Sequence, residues 1–457
     1  MADIKRDLHM GASISTNWAL TRTTSLLGDP GGLLETTDDM VGFAESLRTR
    51  PVIRSRGGEV FSSDYEVCST VLRSPDASAD IPVARSILES LLIGPRPSRD
   101  RIDPLLDAII SKDGAAHSRM RRLVQPAFTH RIMQGWRDAT ERVAAQLVEA
   151  LPHDRPFDLV RDLAAPLPMA VICEILGVPY ADRHQFSDWG DTLAEGLDRP
   201  RSLAQSRRMD VASQALVGYL GDLLEQRRAN PAGDLLSSMA TAQVDGDRLD
   251  NRDIVGTASF LLLAGFETTV NLLGAGTEVL LRHPQQFAEV SADPQLIPDL
   301  VEEALRYVSP VQFTFRTALA PIELPGGEIL RERQMIILML VGANRDPHVF
   351  DEPNRFDIHR HNARKHLAFG FGIHHCLGAA LARMEAEVTW RHLLARFPDP
   401  QAWSLAGTPV PNPGRIIHGL RSLPVRVNTW VPPIRAHAGR AFLASASRPV
   451  VEREGPR

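Results

Sequence analysis

The chain has 457 residues, 43% hydrophobic and 23% charged, with a formal net charge of -5. That length and balance suit a folded protein with a large core and exclude a fibrous or disordered chain, while the slight acidity gives no support for nucleic-acid binding. Three scattered cysteines, Cys68, Cys173 and Cys376, are too few for a disulfide framework and fit a reducing cytosol.

Residues 1–34 lack sustained periodicity and read as a loosely attached lead-in. Lys5, Arg6 and Asp7 are followed by no apolar leader. No run approaches the roughly 18 to 20 apolar residues of a membrane span, so we expect no membrane anchor and a cytoplasmic location. Two short runs, Pro51 to Ser55 and Glu59 to Phe61, flank Gly57-Gly58 as a hairpin. Ser63-Asp64-Tyr65-Glu66 offers a capping box for a helix toward Leu72. From Ala84 to Pro104 the chain is irregular around Gly94-Pro95-Arg96-Pro97-Ser98, a candidate lid or a plain connector.

His117 and Arg121 lie four apart in a helical stretch, so they share a face that suits either an anion or solvent. Trp136, Val143, Leu147 and Leu151 then form a core-facing stripe. Ser187 to Asn230 is polar and helical, interrupted at Asp198-Arg199-Pro200-Arg201. Asp253 to Leu280 is the longest apolar helical pattern. Leu261, Ala264, Thr268 and Leu272 share one of its faces, Gly265 leaves room beside the backbone, and Thr268 can bond back to the preceding turn and bend the helix.

Glu303 and Arg306 sit three apart on a helix that Pro310 ends, and can pair. Val311 to Arg316 reads as extended, with Phe313 and Phe315 on one side and Arg316 on the other. Ile322 to Leu330 is a second hairpin around Pro325-Gly326-Gly327, and Arg415 to Leu420 a third. Long helical stretches with short hairpins give a mainly α fold with a smaller β region (α+β).

Cys376 stands between glycines at the mouth of an Ala/Leu-rich helix. Gly370 and Gly372 permit a tight loop. The helix N-terminus, backbone N–H donors and a bound metal would each favour a thiolate there. A small buried hydrophobe is the plain alternative. Zinc on His374, His375 and Cys376 is a poorer one, because no C-x-x-C accompanies them.

The run Phe369-Gly370-x-Gly372-x-His374-x-Cys376-x-Gly378 resembles in full the haem-binding signature of the cytochrome P450 superfamily, in its soluble bacterial type. Ala264-Gly265-Phe266-Glu267-Thr268-Thr269 resembles its (Ala/Gly)-Gly-x-(Asp/Glu)-Thr-(Thr/Ser) block, and Glu303-x-x-Arg306 with Arg355 of Pro353-Asn354-Arg355-Phe356-Asp357 resembles its ion network. The resemblance implies one large domain around a buried haem over residues 35–430, followed by a Pro-, Ala- and Arg-rich tail, 431–457, expected to be disordered.

It also implies roles. Cys376 would ligate the iron of haem b, with Phe369, Gly370 and Gly378 shaping the loop. His117, Arg121, Arg316 and His374 would meet the propionates. Ala264 and Gly265 would border the haem, Glu267 and Thr268 would relay protons, and Glu303, Arg306 and Arg355 would form a structural ion network. Leu261, Ala264, Phe313, Phe315, Ile416 and Ile417 are pocket candidates for an apolar small molecule. The implied reaction is O2-dependent monooxygenation, hydroxylation or epoxidation. The chain carries no flavin or nicotinamide fingerprint, so a ferredoxin and ferredoxin reductase are the expected NAD(P)H-driven partners, docking near Arg119, Arg122 and Arg383. A peroxide-using peroxygenase and a non-catalytic haem-thiolate sensor are the rival readings.

Overall fold

The computed structural model describes residues 21–80, 101–128, 130–194, 202–243 and 246–428. The expected lid around Gly94, the interruption at residues 198–201 and the tail at 431–457 lie outside them. The principal helices are α1 (Tyr65–Arg73), α2 (Gly114–Val124), α3 (His130–Ala150), α4 (Pro166–Leu176), α5 (Arg183–Ala194), α6 (Leu203–Ala229), α7 (Asn251–Leu281), α8 (Ile297–Val308) and α9 (Ala379–Arg396). Helices dominate and strands are short, the mainly α architecture that the patterning implies.

Helix α7 runs through the largest core cluster, where Leu262, Phe266, Leu272 and Leu273 are buried. Asp250 starts it by accepting from the Asp253 N–H at 2.7 Å. Contrary to expectation, this stretch is long and apolar enough to cross a membrane. In the fold 72% of its apolar 18-residue window is buried inside the protein, so its apolarity serves the core. Helix α9 crosses α7 closely. A Cβ on Gly276 would lie 2.7 Å from the Trp390 ring, and the Trp390 indole N–H donates to Thr277 Oγ1 at 3.0 Å.

The β region is a five-stranded sheet of β1 (Ile53–Arg54), β2 (Val60–Ser62), β3 (Ala77–Ser78), β4 (Thr314–Ala318) and β5 (Met335–Leu338), in the order β1-β2-β5-β4-β3. Only the β2–β5 pairing is parallel among these. Its two faces bury separate clusters. Val60, Ile336 and Leu338 face one, and Phe61 and Ile337 face the other, as the period of two requires. A further hairpin, β6 (Val410–Pro411) and β7 (Leu420–Ser422), carries the segment expected near substrate.

Two local expectations change. Asp64, not Ser63, caps α1, accepting from the Val67 N–H at 2.8 Å. The packed body also begins before residue 35. Asp29 caps the helix Pro30–Thr36 and accepts from the Arg56 N–H at 2.6 Å, and Leu34 is buried against the sheet. The apolar side of that short turn needs cover, and the sheet supplies it.

Candidate active site

The cysteine loop is held by its own backbone. Gly370 and Gly372 take φ of 65° and 71°, a region where a Cβ is strained. At Gly372 a Cβ would also lie 2.3 Å from the Leu72 carbonyl oxygen at the end of α1. The Cys376 N–H donates to the Phe369 carbonyl at 2.9 Å, closing the loop just ahead of α9. Cys376 keeps accessible surface although protein surrounds its sulfur. Burial pushes the thiol up, while the Gly378 N–H, Arg121 and Arg383 pull it down. Phe369 lies under the Arg383 guanidinium, 4.5 Å from its ring centroid, and Arg383 is clamped to Glu302 at 2.6 Å.

Beside this loop the expected donors converge. The His117 and His374 rings sit 4.3 Å apart, and His374 Nε2 is 3.0 Å from Asp113 Oδ1. Arg121 donates to the carbonyls of Ile373 and His375, at 3.1 and 3.0 Å. Arg316 is buried and donates to Phe315 O at 2.7 Å and Thr314 Oγ1 at 3.3 Å, with no carboxylate among the described residues in ion-pair reach. Burial lowers Arg316 to about 10 and, with His374 and Arg121, lowers His117 to about 4, Asp113 opposing both shifts. Asp113 was not anticipated. It occupies the N-cap position of α2 yet makes no cap bond. Instead, against the upward push of burial, bonds from His374, Ser78 and the Ala79 N–H hold its carboxyl well below the usual range. A buried guanidinium bonded only to neutral acceptors, with two imidazoles and Arg121 close to the same cysteine, fits a group that brings its own carboxylates. Haem b, with two propionates, is such a group, and a cysteine thiolate is a donor of the kind its iron accepts.

On α7 most side chains are buried, but Leu261, Ala264, Gly265 and Thr268 keep partial exposure along one stripe, while Leu272 is fully packed. Thr268 Oγ1 donates to the Ala264 carbonyl at 2.6 Å, as its position suggests. Glu385 of α9 meets Thr269 Oγ1 at 3.3 Å, six residues or roughly 9 Å of helix beyond the start of α9. The cysteine loop is thereby brought close to the Ala264–Thr268 segment. Glu267 is buried on a different side of α7 from Thr268, where its Oε1 accepts from Asn412 Nδ2 at 2.5 Å and Asn271 Nδ2 at 3.4 Å.

The pocket expectations are partly corrected. Phe313 and Phe315 pack against the cluster of Phe43, Phe61 and Ile337, because the sheet has an apolar layer on that face too. Thr314 is the residue of β4 that shares the opposite face with Arg316, the face of Ile336 and Leu338. Ile416 and Ile417 do pair with the approach to β4: the Gln312 N–H donates to Ile416 O at 2.8 Å, and Val311 bridges Ile417. Ile417 is buried and Ile416 partly exposed.

Glu303 and Arg306 form a doubly bonded pair at 2.8 Å, both side chains 0% exposed. Arg355 does not complete it. Its side chain pairs with Glu352 at the surface, and only its carbonyl accepts from Arg306, at 3.1 Å. Arg360 takes the third place, 3.3 Å from Glu303, because the loop after Pro353 turns residue 360 inward.

Residues 99–399 match the sequence family described as Cytochrome P450. The polyketide biosynthesis cytochrome P450 PksS of Bacillus subtilis is 34% identical, over 80% of this chain and 88% of its own. Cytochrome P450 monooxygenase PikC of Streptomyces venezuelae is 39% identical, over 74% and 82%. The 6-deoxyerythronolide B hydroxylase of Saccharopolyspora erythraea is 38% identical, over 70% and 77%. The solved structure of PksS aligns with a TM-score of 0.76 at 31% identity, over 86% of this chain and 97% of that one. With that match, these relatives and this fold, the chain belongs to the cytochrome P450 family and is a haem b monooxygenase.

Proposed function

We propose that Cys376 is the thiolate ligand of the haem iron, that His117, Arg121, Arg316 and His374 hold the propionates, and that Glu267 and Thr268 deliver protons from α7. The observation that carries this reading is the buried Arg316, bonded only to neutral acceptors, together with the contact of His117 on α2 with His374 on the cysteine loop. Haem with a thiolate ligand supplies dioxygen activation for inserting one oxygen atom into a C–H bond or an alkene. The protein supplies the rest. Thr268 holds a hydroxyl on the partly open stripe of α7, and Glu267 is the acid next to it in sequence that replenishes its proton. Leu261, Ala264, Thr314 and Ile416 border the space for substrate, and Gly265 keeps it wide. PksS is named for polyketide biosynthesis, so we assign this chain an apolar substrate of polyketide type, hydroxylated or epoxidised.

Electrons come from a ferredoxin and its reductase, in a cytoplasmic setting. The docking expectation narrows. Arg119 is bound to Asp247 and Asp253, where it ties α2 to the start of α7, and Arg383 is held by Glu302. Arg122 alone of the three is exposed.

The test compares two oxidant supplies with 6-deoxyerythronolide B as probe: NADPH with a surrogate ferredoxin and reductase, or hydrogen peroxide alone. The wild type should turn over with the NADPH system, and Thr268→Ala should lose product per NADPH by roughly tenfold or more, releasing peroxide instead. Turnover with peroxide only, unaffected by Thr268→Ala, would make the enzyme a peroxygenase. Binding without consumption of either oxidant would make it a sensor.

A further inference from the structure

The acid Glu267 is held from outside its own helix. Asn412, in the loop of the β6–β7 hairpin, divides its amide between two tasks. Its Oδ1 accepts from the Gly414 N–H at 3.1 Å, an Asx turn that shapes the loop, while its Nδ2 donates to Glu267 Oε1 at 2.5 Å. The hairpin is seated on α7 at this level. The Asn412 N–H donates to the Gly419 carbonyl at 2.9 Å, and Gly419 packs so tightly on Asn271 that a Cβ would lie 2.2 Å from Asn271 Oδ1. Further along the same loop, Ile416 O accepts from the Gln312 N–H and the His418 N–H donates to Pro310 O, which joins the loop to the approach of β4.

Asn271 adds a second amide, one turn beyond Glu267 on α7. Its Nδ2 donates to the same Oε1, and its buried Oδ1 has no donor among the described residues. An amide can donate to a carboxylate or accept from a carboxylic acid, so this pair can accompany Glu267 through both forms.

We propose that Asn412 is a positioning residue for proton delivery, fixing the Glu267 carboxylate to the loop that borders the substrate pocket. The proposal rests on the relay role assigned to Glu267. Without the Asn412 donor the carboxylate loses this hydrogen bond from the loop and spends less time in the delivering orientation. The two halves of the Asn412 amide allow a clean separation. Asn412→Ala removes both the turn and the donor. Asn412→Ser keeps a turn acceptor for Gly414 but cannot donate across to Glu267.

The experiment follows NADPH oxidation by the holoenzyme under dioxygen, with saturating surrogate ferredoxin and reductase and no added substrate, in H2O and in D2O. Asn412→Ala and Asn412→Ser should each slow it by roughly three- to tenfold, the worth of one hydrogen bond, and enlarge the H2O/D2O rate ratio, with haem content unchanged. Placed on Glu267→Gln, Asn412→Ala should add no further loss, because its effect runs through the acid. Wild-type behaviour in Asn412→Ser, additive losses in the double variant, or loss of haem from both single variants would overturn the proposal and leave Asn412 a loop-shaping residue. If Glu267→Gln changes rate and isotope ratio while the Asn412 variants do not, this proposal falls alone. A wild-type rate and ratio in Glu267→Gln would sink the relay reading itself.

Discussion

Arg316 shows what a side chain tolerates when its partner is not part of the chain. A buried guanidinium bonded to a hydroxyl and a carbonyl is an unbalanced charge, and burial lowers its pKa to about 10. Haem propionates would supply the missing charge. Arg316→Leu should therefore leave the apoprotein at least as stable as the wild type by thermal melting, while haemin titration shows roughly tenfold or more weaker retention. A stability loss with unchanged haemin affinity would mean that the arginine serves the protein alone. At this scale the sequence was readable where the chemistry is contiguous. Glu267 and Thr268 are neighbours, and His117 and Arg121 share one helical face. Asn412 was not readable, since 145 positions separate it from Glu267 and only the hairpin's path brings them together. Asp113 was hidden differently: an aspartate ahead of a helix reads as a cap, and here it serves His374 instead.

Among elements, helix α8 and the loop after Pro353 carry the firmest structural expectation and its clearest revision. Glu303 and Arg306 fall three apart on one helix, so their pairing was legible. The third arginine depends on how an irregular loop turns, and spacing cannot choose between Arg355 and Arg360. The geometry separates them by burial. Arg355→Ala should change thermal stability by no more than about 0.5 kcal/mol, as for other surface ion pairs. Arg360→Ala should cost more, and Arg306→Met about 3 to 5 kcal/mol, because each leaves Glu303 charge buried with fewer partners. Equal effects of Arg355→Ala and Arg360→Ala would contradict this arrangement. Strand β4 teaches the same lesson. Alternation placed Phe313 and Phe315 together correctly, but a sheet with apolar clusters on both faces does not say which face looks toward the cysteine.

Across the whole molecule, the contact of α7 with α9 encloses an ionisable group that the proposed chemistry does not use. Glu385 is buried, and burial pushes its carboxyl up to about 8 against the opposing bond from Thr269. Between the ordinary carboxylate pKa and 8, the folded chain keeps a proton that the unfolded chain has released. Stability linked to this group is thus complete below the unfolded pKa and is lost as pH rises through the folded one. Glu385→Gln should raise the melting temperature of the holoenzyme over wild type at about pH 8.5 and change it little at about pH 5. The same shift at both values would show that the carboxyl titrates normally.

The arrangement of α9, its preceding loop and α7 turns on one atom, the Cys376 sulfur. The most direct test is the reduced-plus-CO difference spectrum of the purified protein beside that of Cys376→Ala. The red-shifted Soret band for which the family is named should appear in the wild type and vanish in the variant. A folded, haem-loaded wild type that shows only the shorter-wavelength band, or a Cys376→Ala protein that keeps the red-shifted one, would contradict the assignment of Cys376 as the ligand.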